Sequence, residues 1–185
     1  MEEVIKDLLT KKRYDHSMGV AVMAKELAQR LGADPEKAYL AGVVHDIAKE
    51  LNPSELYDYC ERNGIEIGLI EKHNPQLLHA PAGARMLRSY GICDNDIENA
   101  VRYHTVGREG MSLLERIIYL ADMLEPSRSF DGVEQLRELC SRDFEAAFLM
   151  ALKRSIEWNL EKGCLIHEGT LRAWNDRLLA GGESK

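Results

Sequence analysis

The sequence predicts an all-α protein that forms a single domain over residues 1–185. Apolar residues recur at helical spacing along most of the chain, and no segment shows the sustained alternation of β-branched residues that is typical of a strand. Residue types that begin or end helices separate these segments, with Ser, Asp or Pro before them and Gly after them. With 45% hydrophobic and 30% charged residues, the chain can bury the core of an ordinary globular domain.

The N-terminal half is predicted to contain a short acidic first helix followed by four further helices. These are expected over 14–31, 34–50 and 53–63, and after Pro81 as far as Tyr90. Gly32 ends the first of them, and Asp34 begins the next with Pro35 in its first turn. Residues 66–78 have no clear periodicity and are predicted as a helical turn and a loop that carries His73.

The C-terminal half follows the same pattern. Helices are predicted over 94–103, 112–125 and 143–161, with a final helix after Thr170. Ser112 and Glu115 have the spacing of a capping box. Thr170 is predicted as the N-cap of the last helix. The 143–161 helix is amphipathic and could pack either in the core or across a homodimer interface.

The composition limits the kinds of partner. A net charge of −7 argues against nonspecific attraction to nucleic acid or to an acidic membrane, so neither is expected as a partner. The four cysteines form no CxxC pair, which indicates reduced thiols rather than a zinc ribbon or a disulfide framework. The N-terminus has no signal-peptide pattern, and charges interrupt every apolar run. The sequence therefore predicts a soluble cytoplasmic protein.

The segment 38–48 is unusual for a core segment, because it contains adjacent His45 and Asp46. Nine of its eleven residues are apolar or glycine, which is the pattern of a helix buried on all sides. An ionised carboxylate there costs on the order of several kcal/mol unless something pairs with the charge. A metal ion bound by both residues would do so. Lys49, one helical turn beyond Asp46, would then face whatever the metal binds.

Six residues of metal-binding types fall on predicted interior faces or at helix ends: His16, His45, Asp46, His79, His104 and Asp122. This mixed nitrogen and oxygen set suits iron, manganese, zinc or cobalt better than calcium or magnesium. It is too large for one tetrahedral zinc and fits two metals that share a carboxylate, an arrangement that activates water and binds phosphoryl oxygens. Taken singly, each histidine could instead be structural, and Asp122 could pair with an arginine. His73, in a polar loop, is interpreted as structural.

Several short motifs carry a resemblance to a known family. They are KRYDH (Lys12 to His16), HDIAK (His45 to Lys49), LHA (Leu78 to Ala80), HTVG (His104 to Gly107) and YLADMLEPSR (Tyr119 to Arg128). The order His, His-Asp, Asp resembles that of the HD-domain metal-dependent phosphohydrolases. The longer motifs resemble the YqeK family of HD-domain hydrolases over nearly the whole chain.

The resemblance implies a fold and an activity. It implies a helical HD-domain bundle that cleaves diadenosine tetraphosphate symmetrically into two molecules of ADP. It also implies two divalent or mixed-valence transition-metal ions, iron first and manganese or cobalt as alternatives, with Asp46 as the bridge and the other five residues completing the ligand shell. The expected partners are therefore a dinucleoside polyphosphate substrate and an ADP-like product.

Asp46 and Lys49 are predicted as catalytic residues, and Lys49 also as the first phosphate contact. Arg128 is the second, since a guanidinium can bind two phosphate oxygens at once. For both cations the alternative is a solvated surface charge, and Arg13 could reach phosphate or lie exposed. The other predicted substrate contacts follow a metal ligand or resemble a family feature near the nucleoside: Thr105, Gly107, Arg108, Thr170 and Asn175.

Other functions stay open at this point. The same ligands would serve another HD-type nucleotidase or phosphodiesterase, because the metals determine the reaction class and the pocket selects the substrate. A nucleotide-binding sensor, or a helical scaffold with incidental histidines, would keep the fold without turnover. The sequence contains no GxSxG, Walker A or GxGxxG pattern, which argues against a serine hydrolase, a P-loop enzyme and a dinucleotide oxidoreductase.

Overall fold

The computed structural model describes residues 1–182, and the regular elements in that range are all helical. The helices are α1 (Glu2–Leu8), α2 (Lys11–Leu31), α3 (Pro35–Val44), α4 (Pro53–Arg62), α5 (Leu69–His73), α6 (His79–Met86), α7 (Asn95–Tyr103), α8 (Leu113–Leu124), α9 (Val133–Arg142), α10 (Phe144–Glu161) and α11 (Glu168–Gly182). Short 3-10 helices, Pro75–Leu78 and Leu87–Tyr90, lie on either side of α6. The all-α prediction is confirmed.

Helices α2 and α8 lie at the centre of the fold. α2 packs against α3 and α8, and α8 also packs against α7 and α10. The α8 residues Ile117, Ile118 and Leu120 are completely buried. Phe148 of α10 packs edge-on against Tyr119, with the ring centroids 5.4 Å apart. One core cluster contains residues from α1 through to α11, which supports the proposal that the chain is one domain.

α2 and α3 pack at close range where Gly42 meets Ala21. A Cβ atom added to Gly42 would lie 2.6 Å from the Ala21 Cα, a clash that only movement of the backbone could relieve. α2 carries His16 and α3 leads into His45, and the two imidazole centroids are 5.2 Å apart. Gly42 therefore helps to set the distance between two predicted metal ligands.

The substitution Gly42→Ala is expected to push α3 away from α2 and to lower the free energy of unfolding by about 1–3 kcal/mol. It should also weaken metal binding, because His45 moves with the end of α3. Thermal unfolding and metal analysis measure the two effects. Gly181→Ala is the control, since a Cβ there meets no atom within 4 Å. If both variants had the stability and metal content of the native protein, the close approach at Gly42 would be unimportant.

α3 ends at Val44, whereas the sequence predicted a helix to about Glu50. Residues 45–50 instead form consecutive turns, in which the Lys49 amide donates to the Asp46 carbonyl at 2.8 Å. Bonds between residues i and i+3 wind the backbone more tightly than an α-helix does. The prediction of a continuous helix is therefore wrong, because the apolar pattern does not distinguish these two windings.

Helix α9 is missing from the sequence prediction. Val133, Leu136 and Cys140 are its buried residues, and they follow a helical spacing that the sequence does contain. Gly132 precedes the helix in the left-handed conformation, with φ at 84°. Because polar residues dominate this segment, its narrow apolar row did not lead to a predicted helix.

The two predicted caps differ from the structure. Ser112 Oγ accepts the Glu115 amide at 3.2 Å as expected, but the Glu115 carboxylate binds Arg108 rather than completing the capping box. Thr170 lies inside the first turn of α11, and its hydroxyl donates to the Val106 carbonyl at 2.9 Å. The prediction of Thr170 as an N-cap is wrong, because a tertiary hydrogen bond takes its side chain.

The two halves of α10 lie in different surroundings. Phe144 and Phe148 in the N-terminal half are buried in the core. Trp158 and Leu160 in the C-terminal half are 56% and 64% exposed. None of the helices described here combines the length and the apolar character needed to cross a membrane.

Candidate metal centre

The helices bring the six predicted ligands to one place in the interior. His16 is on α2, His45 and Asp46 follow α3, His79 begins α6, His104 follows α7, and Asp122 is on α8. The four histidines and Asp46 have relative exposures of 7% or less. The Asp122 side chain is 20% exposed, so this side of the cluster faces the outside.

Each histidine of the cluster forms a hydrogen bond through Nδ1 to an acceptor that lies outside the cluster. The acceptors are the Glu125 carboxylate for His16 and the carbonyl oxygens of Gly42, Gln76 and Val101 for His45, His79 and His104. An imidazole that donates through Nδ1 presents an unprotonated Nε2 on its other side. The Nε2 atoms of all four histidines therefore point into the cluster.

The Asp46 carboxylate lies between two pairs of histidines. Its Oδ2 atom is 3.5 Å from His45 Nε2 and 3.9 Å from His16 Nε2. Its Oδ1 atom is 3.2 Å from His79 Nε2 and 3.5 Å from His104 Nε2. Each carboxylate oxygen thus faces one histidine pair.

Asp122 joins the pair on the Oδ2 side. Its Oδ1 atom lies 3.0 Å from His16 Nε2 and 3.9 Å from His45 Nε2. His16, His45 and Asp122 have ligand atoms within 4.8 Å of one another. The same holds for His45, Asp46 and His104. Either group is compact enough to hold a cation.

The ligand nitrogen and oxygen atoms of the cluster are better placed to bind cations than to form hydrogen bonds with one another. The Nε2 atoms of His79 and His104 lie 3.2 Å apart, although each presents a lone pair. His16 Nε2, His45 Nε2 and Asp46 Oδ1 are buried without a hydrogen bond of acceptable geometry. Each unsatisfied buried polar atom costs roughly 1–3 kcal/mol. Metal ions would bind these atoms, so the clustered residues fit the metal site that the sequence predicted.

The cluster favours charged carboxylates, and its imidazoles differ in protonation. Burial would lower the pKa of His45, but the charge of Asp46 raises it, so a metal ion would displace a proton there. Burial would raise the pKa of Asp46, but the neighbouring imidazoles, His45 first, hold it well below its usual range. Burial would also raise the pKa of Asp122, and its contact with His16 and other positive neighbours holds it low. Burial lowers the pKa of His79 to about 4. Charged carboxylates and a neutral imidazole at neutral pH are the metal-binding forms.

Arg13 and Lys49 place positive charge against the cluster. Arg13 Nη1 lies 2.8 Å from Asp46 Oδ2, and its side chain is 31% exposed. Lys49 Nζ lies 3.2 Å from His79 Nε2. Burial lowers the pKa of the Lys49 ammonium, against the attraction of Asp46. Both cations therefore contact residues of the cluster directly.

Two cavities adjoin the cluster at Thr105, whose Oγ1 lies 3.1 Å from His104 Nε2 and 3.3 Å from His79 Nε2. The residues that line the α8–α10 cavity include His104, Thr105, Asp122, Phe130, Arg154 and Trp158. Those that line the α5–α11 cavity include His73, Thr105, Ser155, Trp158, Leu165 and Thr170. Their volumes are about 680 and 400 Å³, within the range of small-molecule sites.

Residues 13–127, which include all six clustered residues, match the family model described as the HD domain. The chain belongs to the HD domain family. This HD domain protein is 41% identical over 172 residues to the Bacillus subtilis (strain 168) protein named "Bis(5'-nucleosyl)-tetraphosphatase, symmetrical", with 92% of each chain covered. A relative of the same name from Halalkalibacterium halodurans is 41% identical over 178 residues, with coverage of 96% of this chain and 95% of the relative.

A solved structure from Clostridium acetobutylicum shares the fold of this HD domain protein. It is described as a "predicted HD superfamily hydrolase involved in NAD metabolism". The TM-score is 0.93 at 40% sequence identity, with coverage of 97% of this chain and 95% of the other. The resemblance drawn from the motifs is confirmed, and the helical HD-domain fold with it.

Some of the predicted substrate contacts of the HD domain protein lie at the cluster of six predicted ligands. Lys49 and Thr105 contact its histidines. Arg128 binds the carboxylate of Asp122 and also its carbonyl, at 2.7 Å. The charge of Asp122 raises the pKa of the Arg128 guanidinium against the opposing effect of burial. Thr170 lines the α5–α11 cavity.

Gly107, Arg108 and Asn175 lie away from the centre. Gly107 is buried with φ at 71°. Arg108 is held by the Glu115 carboxylate at 2.7 and 2.8 Å and lines a third cavity, to which none of the six clustered residues contributes. Asn175 is exposed on α11 and lines neither cavity at Thr105. Their predicted contact with substrate gains no support from this geometry.

Glu125 is a site residue that sequence reasoning missed. One of its carboxylate oxygens lies 3.0 Å from His16 Nδ1, and the other accepts the Ser127 amide at 2.8 Å. It therefore orients the imidazole and keeps the proton of His16 on Nδ1. Its position three residues after Asp122, directly after the end of α8, is the signal that would have identified it.

Two histidines lie outside the cluster. His73 is exposed and bonds through Nδ1 to the Leu69 carbonyl at 2.9 Å, consistent with the structural interpretation. His167 is absent from the sequence prediction. Its Nδ1 accepts the Gly169 amide at 2.9 Å, and its Nε2 donates to Glu71 at 3.0 Å. His167 thereby joins the start of α11 to α5 beside the α5–α11 cavity.

Proposed function

We propose that this HD domain protein hydrolyses diadenosine tetraphosphate symmetrically to two molecules of ADP, with two transition-metal ions as cofactors. The observation that carries the proposal is the Asp46 carboxylate, whose two oxygens face two different pairs of imidazole nitrogens. The substrate is supported by relatives that are 41% identical over most of the chain and are named for this activity.

The ligands would divide between the two ions. The proposed ligands are His16, His45 and Asp122 for one ion and His79 and His104 for the other, with Asp46 shared. Iron is the proposed metal, and manganese or cobalt would suit the same donor set. Bound ions of this kind supply a hydroxide nucleophile near neutral pH and neutralise charge on phosphoryl oxygens.

The reaction would break the central phosphoanhydride bond. Water adds to one of the two inner phosphorus atoms, and the bond from that atom to the central bridging oxygen breaks, so that each product is ADP. Such a reaction mainly requires positioning and charge neutralisation and does not need a protein nucleophile. Lys49 would donate from Nζ to an oxygen of the departing ADP, and Arg128 would bind a neighbouring phosphate.

Several sequence expectations stay predictions. These are the cytoplasmic location, the homodimer, the absence of nucleic-acid and membrane partners, and substrate contacts by Gly107, Arg108, Thr170 and Asn175. The N-terminal half of α10 packs in the core, and its exposed C-terminal half leaves room for the predicted homodimer interface.

Metal-loaded protein is expected to convert diadenosine tetraphosphate to ADP as the sole product. A chelator should abolish the activity and lower Tm, because ligand binding stabilises the folded state by about 4 kcal/mol at a thousandfold excess over Kd. Metal quantitation, thermal unfolding with and without Fe²⁺, Mn²⁺ or Co²⁺, and chromatography of the products measure these effects.

The other outcomes identify the rival functions. ATP and AMP as products would contradict symmetrical cleavage. Preference for a mononucleotide or a cyclic dinucleotide would indicate another HD-type nucleotidase or phosphodiesterase. Tight ADP binding without turnover would indicate a nucleotide sensor. A folded protein that remains free of metal when purified without chelator would favour a helical scaffold.

A further inference from the structure

The α8–α10 cavity and the α5–α11 cavity meet at Thr105, beside the predicted metal centre. His104 and Asp122 line the first cavity, and none of the six clustered residues lines the second. Both are lined by Thr105, Ser155 and Trp158, and Thr105 lies within 3.3 Å of ligand nitrogens of two histidines. From this shared edge the α8–α10 cavity extends toward Phe130, and the α5–α11 cavity extends toward Thr170. A ligand bound across the metals would therefore have space on both sides.

We infer that the α8–α10 cavity binds the second nucleoside of the dinucleoside polyphosphate, while the first lies in the α5–α11 cavity, where the predicted nucleoside contact of Thr170 would place it. The inference rests on the proposed function. Cleavage of the central phosphoanhydride places the scissile bond at the metals and an identical nucleoside diphosphate on each side of it. A symmetrical substrate of this kind needs two nucleoside sites close to the metals, and the two cavities share Thr105, which contacts two of the proposed ligands.

Aromatic side chains make the α8–α10 cavity suitable for a base. Phe130 is half-buried in the loop after α8, and Trp158 is 56% exposed on the opposite helix, α10. The Arg154 guanidinium lies over the Phe130 ring, 5.1 Å from its centroid, and binds the Asp131 carbonyl. Arg154 thus holds the ring and its loop in place. A preformed aromatic surface favours stacking of a planar base.

Charge orients the nucleotide within the α8–α10 cavity. The metal end contains Asp122, which would be a metal ligand, with Arg128 bound to it. The part lined by α10 contains the carboxylates of Glu157 and Glu161, together with Lys162 and with Arg154, whose guanidinium is engaged by Phe130 and the Asp131 carbonyl. Carboxylates repel phosphate but accept hydrogen bonds from ribose hydroxyls and from the amino group of adenine. The phosphates would therefore lie at the metals and the nucleoside beyond them.

The test is binding and turnover by metal-loaded protein. The native protein is expected to bind two ADP per chain in calorimetric titrations. Phe130→Ala should weaken one of the two sites roughly tenfold and raise KM for diadenosine tetraphosphate by a similar factor, with kcat much less affected. Phe130→Tyr keeps the aromatic ring and should restore both. Trp158→Ala should weaken both sites, because Trp158 lines both cavities.

Leu160→Ala is the matched control, since Leu160 is 64% exposed on the same helix and lines neither cavity. A single ADP per native chain, or a native KM in both Phe130→Ala and Trp158→Ala, would overturn the inference while native protein still released ADP. Failure of native, metal-loaded protein to release ADP from diadenosine tetraphosphate would instead overturn the proposed function. Circular dichroism of each variant separates loss of the site from loss of the fold.

Discussion

Asp46→Ala is expected to eliminate bound metal and to lower hydrolysis of diadenosine tetraphosphate by at least about 10³-fold, with the helical content retained. The carboxylate faces both sides of the cluster, with Oδ1 3.2 Å from His79 Nε2 and Oδ2 3.5 Å from His45 Nε2. The helical content should be retained because the core residues of α8 are apolar and lie apart from this carboxylate, but Tm should fall, since Arg13 loses its largely buried partner. Metal quantitation, product chromatography and circular dichroism measure the three effects.

Asp15→Ala is the control for Asp46→Ala. The Asp15 side chain is 57% exposed and pairs with Lys11, one turn earlier on α2, so its loss should change activity less than about twofold. An Asp46→Ala protein with full metal content and native activity would rule out the bridging role. If that variant failed to fold, Asp46→Asn would replace it, since the amide keeps the shape and removes the charge.

Lys49→Gln is expected to lower kcat roughly 10²-fold and to leave the metal content unchanged. Its ammonium lies 3.2 Å from His79 Nε2, next to the place where charge would develop on the departing ADP. Glutamine retains much of the length and a hydrogen-bond donor but lacks the positive charge. Steady-state kinetics with metal analysis of the same preparation separate a chemical role from a structural one.

The control for Lys49→Gln is Lys12→Gln, which removes an exposed charge near the start of α2. It should leave kcat and metal content unchanged within about twofold. Lys49→Arg should recover part of the activity. Loss of metal from Lys49→Gln would show that the ammonium supports the cluster itself, and native kcat in that variant would remove Lys49 from the mechanism.

The helices are best predicted where the signal is local. Gly32 and Gly91 end helical segments in the left-handed conformation, and Asp34 and Asp94 cap the helices that follow them. Each of these depends on one residue and its neighbours in sequence. The prediction that Thr170 is an N-cap is wrong because the contact that decides it is not local. Its hydroxyl donates to the Val106 carbonyl, which is distant in sequence.

The candidate ligands were predictable from residue type in an apolar context, and their partners were not. His45 and Asp46 stand out because burying polar and charged side chains in an apolar segment is costly unless they bind a partner. Arg108 follows His104 closely in sequence, yet the Glu115 carboxylate holds it away from the cluster. Glu125 contacts His16 across 109 residues, so only packing of α2 against α8 brings them together.

By itself, the sequence determined the helical class and the residues able to bind metal, because apolar periodicity and donor chemistry are properties of local sequence. Tertiary structure decided the rest. The turns after α3 and the packing of α2, α6, α7 and α8 place the Asp46 carboxylate between two histidine pairs. The division of the space around Thr105 into two cavities also depends on helices far apart in sequence, since side-chain direction follows from packing rather than from spacing along the chain.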